Sequence, residues 1–254
     1  MSDVTKLTLV HLANSCSQSV LWLLEELGVD YDVRKHDRPS GQAPPDLRRT
    51  HPQGKSPQLL LPGGRVITQL SAILLYLIRT YDGAEPGSRP RFHRPPRSGD
   101  GNDKDRDDGE DEGGDDPVRE EQLVCIGVSD LSSKLGAKFM FDGLTAMSPF
   151  FVRPLLARVR DTINRLALDP DVEAALGALE AEIAGRSWFM GGEGPSRADF
   201  ALHFSVGLAA QPRYADLDDY PGLKAWMRRC EEREAWKRSL EVGNGYDLDF
   251  PSKW

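Results

Sequence analysis

The stretch from Asp82 to Pro117 constrains the fold of this chain more than any other. It is dense in proline, glycine and charge and holds one aromatic residue, Phe92. Such a composition buries too little apolar surface to offset the entropy of ordering it, so the segment is expected to be a disordered linker, placed at residues 83–117. It also has a polarity. Arg89, Arg91, Arg94 and Arg97 come first, and ten acidic residues against Lys104 and Arg106 follow between Gly99 and Asp116. That run nets as much negative charge as the whole chain, which is formally -8. The folded remainder is therefore near neutral, and a nucleic-acid partner, which needs a basic surface, is not expected.

The two sides of the segment carry different periods. Before it, strand and helix signals alternate: strands at Lys6–Leu12, Tyr31–Asp37, Pro57–Leu61 and Arg65–Thr68, helices at Ser17–Leu27, Ala43–Thr50 and Leu70–Tyr81. In the first helix Val20, Leu23, Leu24 and Leu27 fall on one face, and Gly28 supplies the stop. Pro62-Gly63-Gly64 reads as a hairpin turn. The order β-α-β-α-β-β-α predicts one parallel pair joined by a right-handed crossover, with an antiparallel hairpin beside it. After the segment only helical periods occur, over Val118–Asp142, Pro149–Leu166, Asp169–Gly185, Ser196–Leu208, Pro221–Arg229 and Glu234–Val242. Ser196-Arg197-Ala198-Asp199 is a capping-box start with Asp in the place of Glu. The expected organisation is an α/β domain over 1–82, the linker, and an all-α bundle over 118–254.

The three cysteines, Cys16, Cys125 and Cys230, are widely spaced and odd in number, which indicates neither a disulfide framework nor a zinc site; no metal is expected. No basic-then-apolar leader and no run of 18 apolar residues occurs, so the expectation is a soluble cytoplasmic protein with no membrane partner.

The chemistry concentrates in Asn14-Ser15-Cys16-Ser17, at the entrance of the first helix. Two readings compete. The cluster is an over-supplied N-cap, or it holds an anion or thiol against the positive end of the helix.

These segments together resemble the glutathione S-transferases. "VLWLLEELGVDYD" is similar to the family's first helix and second strand, "GKSP" to its loop with a cis-proline, here Pro57, and "PSRADFAL" to the capping box of its helical domain. "YPGLKAWMRRCEEREAWKRSLEVG" is similar to its last helices. "APPDLRRTHPQGKSP" and "PFFVRPLLARVRDTI" are closest to the fungal and bacterial type related to yeast glutathione transferase I. The resemblance covers roughly residues 5–82 and 118–243. It implies an α/β thioredoxin-like N-terminal domain that binds glutathione, and an all-α C-terminal domain that supplies the pocket for a small electrophile. A homodimer is implied too.

Carried over residue by residue, the resemblance implies Ser15 as donor to the glutathione sulfur, with Asn14 second and Cys16 as the alternative for thiol–disulfide exchange. Ser56 would pair its backbone with the cysteinyl part, next to Pro57. Lys55 would meet a carboxylate, and His51 is a weaker polar candidate. At the start of the third helix, where the family has Glu-Ser, this chain has Gln69-Leu70. Gln69 replaces the acid; Leu70 lacks the hydroxyl, which Ser71 would supply one residue later. Ser19 stands where the family's serine-type members carry an arginine. The co-substrate pocket is expected along Lys138, Phe139, Phe141, Asp142, Phe150, Phe151 and Arg153. Three functions follow: a transferase serving detoxification or secondary metabolism, a thiol transferase acting through Cys16, and a non-catalytic binding or regulatory module.

Overall fold

The computed structural model describes residues 5–38, 43–84, 91–92 and 116–249. Strands β1 (Thr8–Leu12), β2 (Asp32–His36), β3 (Gln58–Leu60) and β4 (Val66–Thr68) form one sheet in the order β2-β1-β3-β4. β1 pairs parallel with β2 and antiparallel with β3, and β3 pairs antiparallel with β4. The parallel pair is joined through α1 (Ser17–Leu27), and α3 (Leu70–Tyr81) follows the hairpin. Between them α2 (Leu47–Thr50) is shorter than the expected Ala43–Thr50. Pro44 and Pro45 cannot donate to a helical ladder, and the chain there turns instead, with Leu47 N–H on Pro44 O and Arg48 N–H on Pro45 O.

α1 lies at the centre of the molecule. Val20, Leu21, Trp22, Leu23 and Leu24 are all fully enclosed, since α1 packs against β1, α3, α8 (Arg197–Ala209) and α10 (Glu234–Val242). Enclosing each such side chain stabilises the fold by about 1.5–3 kcal/mol. The charge that follows is paired: Glu26 accepts from Trp22 Nε1 at 3.0 Å and from Arg233 Nη2 of the helical part at 2.9 Å.

Beyond the charged segment helices are the only regular structure among the described residues. α4 (Pro117–Cys125) and α5 (Ser132–Met147) are one continuous rod joined by a π-helical stretch, Ile126–Leu131. α6 (Arg153–Ile163) and α7 (Asp169–Ile183) are joined in the same way by Asn164–Leu168, where the sequence suggested a break. Pro170 follows directly on that π-helical stretch, at the start of α7. α9 (Pro221–Glu231) and α10 complete the bundle. Buried Asp199 is its hub, accepting from Ser196 N–H and Oγ at 2.7 Å each, Phe189 N–H at 3.1 Å and Trp226 Nε1 at 2.8 Å.

The expectation of disorder falls mainly on 85–90 and 93–115, outside the described residues. Within the same segment Arg91 and Phe92 are docked. The Asp82 carboxylate accepts both backbone N–H groups, at 2.8 and 2.7 Å, and Arg91 Nη2 donates to Glu26 O at 2.6 Å. Phe92 is buried with its ring 5.5 Å from that of Phe200. A lone aromatic in a polar tract is thus an anchor between the α/β part and the bundle.

Candidate functional site

The loop from β1 to α1 is held by hydroxyl groups. Ser17 Oγ accepts the Leu12 N–H at 3.1 Å and lies 2.9 Å from His11 Nδ1. Ser15 Oγ is 2.7 Å from both Leu12 O and Ser17 Oγ, and it accepts the Ser17 N–H at 3.3 Å. His11 is fully enclosed, and burial, with Lys35 adding repulsion, holds its imidazole down to about 4, so the ring is neutral. Its Nε2 has no partner among the described residues. We assign the proton to Nδ1, donating to Ser17 Oγ, because an unused acceptor is less costly there than an unused N–H. Ser17 then has both lone pairs filled and directs its own proton to Ser15 Oγ, 2.7 Å away, a shorter contact than Leu12 O at 3.2 Å. Ser15, only 4% exposed, accepts from Ser17 and has one proton to give, to Leu12 O at 2.7 Å or to a ligand.

Cys16 is the residue before the first turn of α1 and is half-buried. Its Sγ lies 3.9 Å from Ser56 O, across from the cis Ser56–Pro57 peptide. Burial pushes the thiol up to about 11, and the Arg38 guanidinium offsets only part of this. A helix N-terminus favours a thiolate, but here loss of solvent outweighs the helix end. Arg38 donates from Nε to Ala13 O at 2.9 Å, which brings a cation to the same loop.

The loop before β3 is shaped by Gly54, at φ 60°, where a β-carbon would run into the Arg48 side chain. Ser56 Oγ donates to Val10 O at 3.1 Å, and its backbone N–H carries no hydrogen bond among the described residues. Lys55 projects into solvent, its carbonyl accepting from Gln58 Nε2 at 2.8 Å. His51 is half-buried and accepts the Gln53 N–H at Nδ1, 3.4 Å.

Gln69 precedes α3 with φ 74° and ψ 127°. A side chain rarely takes that conformation, and it leaves the N–H groups of the first turn of α3 facing outward. Leu70 is buried in the core and offers no polar atom. Ser71 Oγ accepts from Arg197 Nη1 at 3.3 Å, and Arg197 also binds Glu120 (3.0 Å) and Glu121 (2.6 Å). Among the described residues two non-glycine positions have positive φ, Asn14 (56°) and Gln69 (74°), and both are sequence-predicted contacts.

The tail after α10 was not anticipated. Asn14 Oδ1 accepts the Asp247 N–H at 2.7 Å, and Asn14 N–H approaches Gly245 O at 3.4 Å. Asn244 Nδ2 donates to His36 O (3.0 Å) and Asp37 Oδ1 (2.7 Å). Asn14 thus spends its carbonyl oxygen on the tail, and only its amide N–H₂ remains for a ligand. Behind the tail, Tyr246 packs on Trp236 and on His203, a fully enclosed imidazole that burial holds down to about 3.

The family profile described as the glutathione S-transferase N-terminal domain matches residues 15–80, and the one described as its C-terminal domain matches 140–234. The chain belongs to the glutathione S-transferase family. It is 28% identical over 235 residues to Glutathione S-transferase 3 of Schizosaccharomyces pombe, spanning 92% of this chain and 87% of that one. A glutathione S-transferase from Actinobacillus pleuropneumoniae superposes with a TM-score of 0.66 at 25% identity, covering 96% of this chain and 95% of that one. A glutathione transferase homolog from Lodderomyces elongisporus, with two glutathiones per subunit, superposes at 0.63 with 20% identity, covering 94% and 99%.

Against that family pattern, two substitutions have a packing reason. Ser19, at the arginine's position, is completely enclosed, and Leu70, at the serine's position, is packed in the core. Of the residues expected along the co-substrate pocket, Lys138 is buried and bound to Asp169, and Asp142 is held by Tyr214 Oη and Arg160. Phe150 and Phe151 do not close a pocket. They lie 81% and 72% exposed at the turn between α5 and α6.

Proposed function

We propose that this chain is a glutathione transferase in which Ser15 donates a hydrogen bond to the glutathione thiolate at the N-terminus of α1. The observation that carries the reading is the pair of positive-φ residues, Asn14 and Gln69, at the two sequence-predicted ends of one ligand. Backbone conformations of this kind cost about 1–3 kcal/mol each and gather where a ligand is held. The relatives' name and the glutathione reported in the Lodderomyces homolog agree with the choice of ligand.

In this reading the cysteinyl part pairs with the unbonded Ser56 N–H beside Pro57, as an added strand does. Lys55 meets the glycyl carboxylate, with His51 near it. The γ-glutamyl carboxylate lies at the N-terminus of α3, held by the N–H groups around Leu70 and Ser71, with Gln69 binding the amine. The thiol loses its proton to water. Ser15 Oγ–H and the end of α1 stabilise the thiolate, while Ser17, fixed by His11, donates to Ser15 Oγ. The sulfur then forms a bond to an electrophilic carbon, and a leaving group departs or an adjacent double bond takes up the electron pair. Residues 1–82 serve the peptide and 118–254 the electrophile, in a cytoplasmic homodimer, either clearing reactive compounds or building a conjugate.

The thiol-transferase reading through Cys16 is weakened by a thiol pushed up to about 11, where little thiolate exists near neutrality. Retention on immobilised glutathione, followed by an electrophile panel of aryl halides and conjugated carbonyls, tests the proposal. Ser15→Ala should lose most of the activity and Cys16→Ala little. Failure of the wild type both to be retained and to react would leave the non-catalytic module as the reading.

A further inference from the structure

Eight large apolar side chains stand exposed within one stretch of α5 and α6: Met140, Leu144, Met147, Phe150, Phe151, Leu155, Val159 and Leu166. The described residues outside that stretch add two more, Val118 and Leu240. On α5 the residues Met140, Leu144 and Met147 recur at helical spacing, and on α6 so do Leu155 and Val159. The two helices pack on each other, and the turn between them carries Phe150 and Phe151 with their rings in edge contact at 5.6 Å.

The charges mixed into this face are unlike those of the chain as a whole. Residues 140–166 hold Arg153, Arg158, Arg160 and Arg165 against Asp142 and Asp161, in a protein of net charge -8. Both aspartates are taken up by Arg160. Arg153, Arg158 and Arg165 are exposed and have no ion pair among the described residues. Arg158 and Arg165 also line a shallow depression of about 440 Å³ on α6, with Pro154, Ala157, Asp161 and Thr162.

We propose that the α5–α6 tip docks on an anionic lipid bilayer, with Phe150 and Phe151 entering the headgroup–acyl boundary and Arg153, Arg158 and Arg165 meeting lipid phosphates. An amphipathic helix with aromatics on one side and arginines beside them binds in the plane of such a surface. Charge complementarity selects this occupant, because anionic phosphates suit three arginines that no described carboxylate pairs, both carboxylates of the face being committed to Arg160. No described helix is long and apolar enough to cross a membrane, so the contact is peripheral.

The test is co-sedimentation of the full chain with phosphatidylcholine vesicles and with vesicles of phosphatidylcholine and phosphatidylserine in equal parts. The mixed vesicles should bind the chain and plain phosphatidylcholine should not, with binding falling as salt rises. Phe150→Ser with Phe151→Ser should abolish binding. Arg158→Glu with Arg165→Glu should lower it at least about tenfold. The arginine pair lies on an exposed surface and keeps the test open if the serine pair fails to fold, which melting curves report. Absence of binding to the mixed vesicles overturns the proposal, as does binding that both double variants leave unchanged. A dimer in light scattering that the serine pair dissociates, without vesicle binding, assigns the face to a second copy instead.

Discussion

The two ends of the candidate glutathione site are built in opposite ways. At the sulfur end, hydroxyl groups exceed what a helix cap needs: Ser15, Ser17 and His11 form a chain of contacts of 2.7 and 2.9 Å behind a single loop. At the γ-glutamyl end Leu70 brings no hydroxyl, and Ser71 is engaged by Arg197, which Glu120 and Glu121 hold in turn. One end concentrates hydroxyl groups at the entrance of α1. The other was given over in part to joining the α/β part to the bundle, because Arg197 belongs to α8 and Ser71 to α3. In the proposed function, catalytic competence and ligand affinity are therefore separable.

The largest expected effect is on the acid stability of the sulfur end and the aromatic core behind its tail. His11 and His203 are neutral when folded, held to about 4 and about 3, and take up protons near their ordinary value only when unfolded. The unfolded chain binds more protons below that value, so stability falls as pH drops. The loss between pH 7 and pH 5 is about 2 kcal/mol for each imidazole, about 4 kcal/mol together. Burial raises the Asp199 carboxyl, which works in the opposite direction, so the clean comparison is with His203→Phe. That variant should lose about half of the pH dependence in urea melts.

At the other end, Arg197→Met strips two carboxylates of their partner and should cost about 3 kcal/mol in the same measurement. Leu70→Ser should sharpen the contrast most directly. Restoring a hydroxyl at the first turn of α3 should tighten glutathione binding roughly tenfold by calorimetry, while the lost core packing costs about 2 kcal/mol of stability. The smallest effect is that of Gln69→Gly. Relief of the positive φ should stabilise the fold by about 1 kcal/mol, with weaker glutathione binding as the γ-glutamyl amine loses its partner.

Much of this architecture is legible in the sequence, unevenly. α1 and α3 have strong helical periods and clear stops, and the sheet order follows from one crossover and one hairpin. The joined rods α4–α5 and α6–α7 are not, since a π-helical stretch keeps the same residue types and prolines such as Pro170 look like breaks. The cluster at Asn14–Ser17 is visible as excess polarity, whereas its commitments are not. The tail residues that bind Asn14 lie more than 200 positions away, and such pairings leave no periodic trace. His11 reads as one polar residue in an apolar strand. Only its enclosure, with Ser17 on one nitrogen, gives it a part in the site.

The central claim is that the Ser15 hydroxyl, rather than the Cys16 thiol, serves the glutathione sulfur. The pH profile of kcat/KM for glutathione conjugation, measured for wild type, Ser15→Ala and Cys16→Ala, tests it. Loss of one charge-assisted hydrogen bond of about 1.5–3 kcal/mol predicts a ten- to hundredfold drop for Ser15→Ala near neutrality, narrowing as the pH rises and glutathione ionises unaided. Cys16→Ala should keep the wild-type profile. An unchanged profile in Ser15→Ala, with activity lost in Cys16→Ala, would contradict the account.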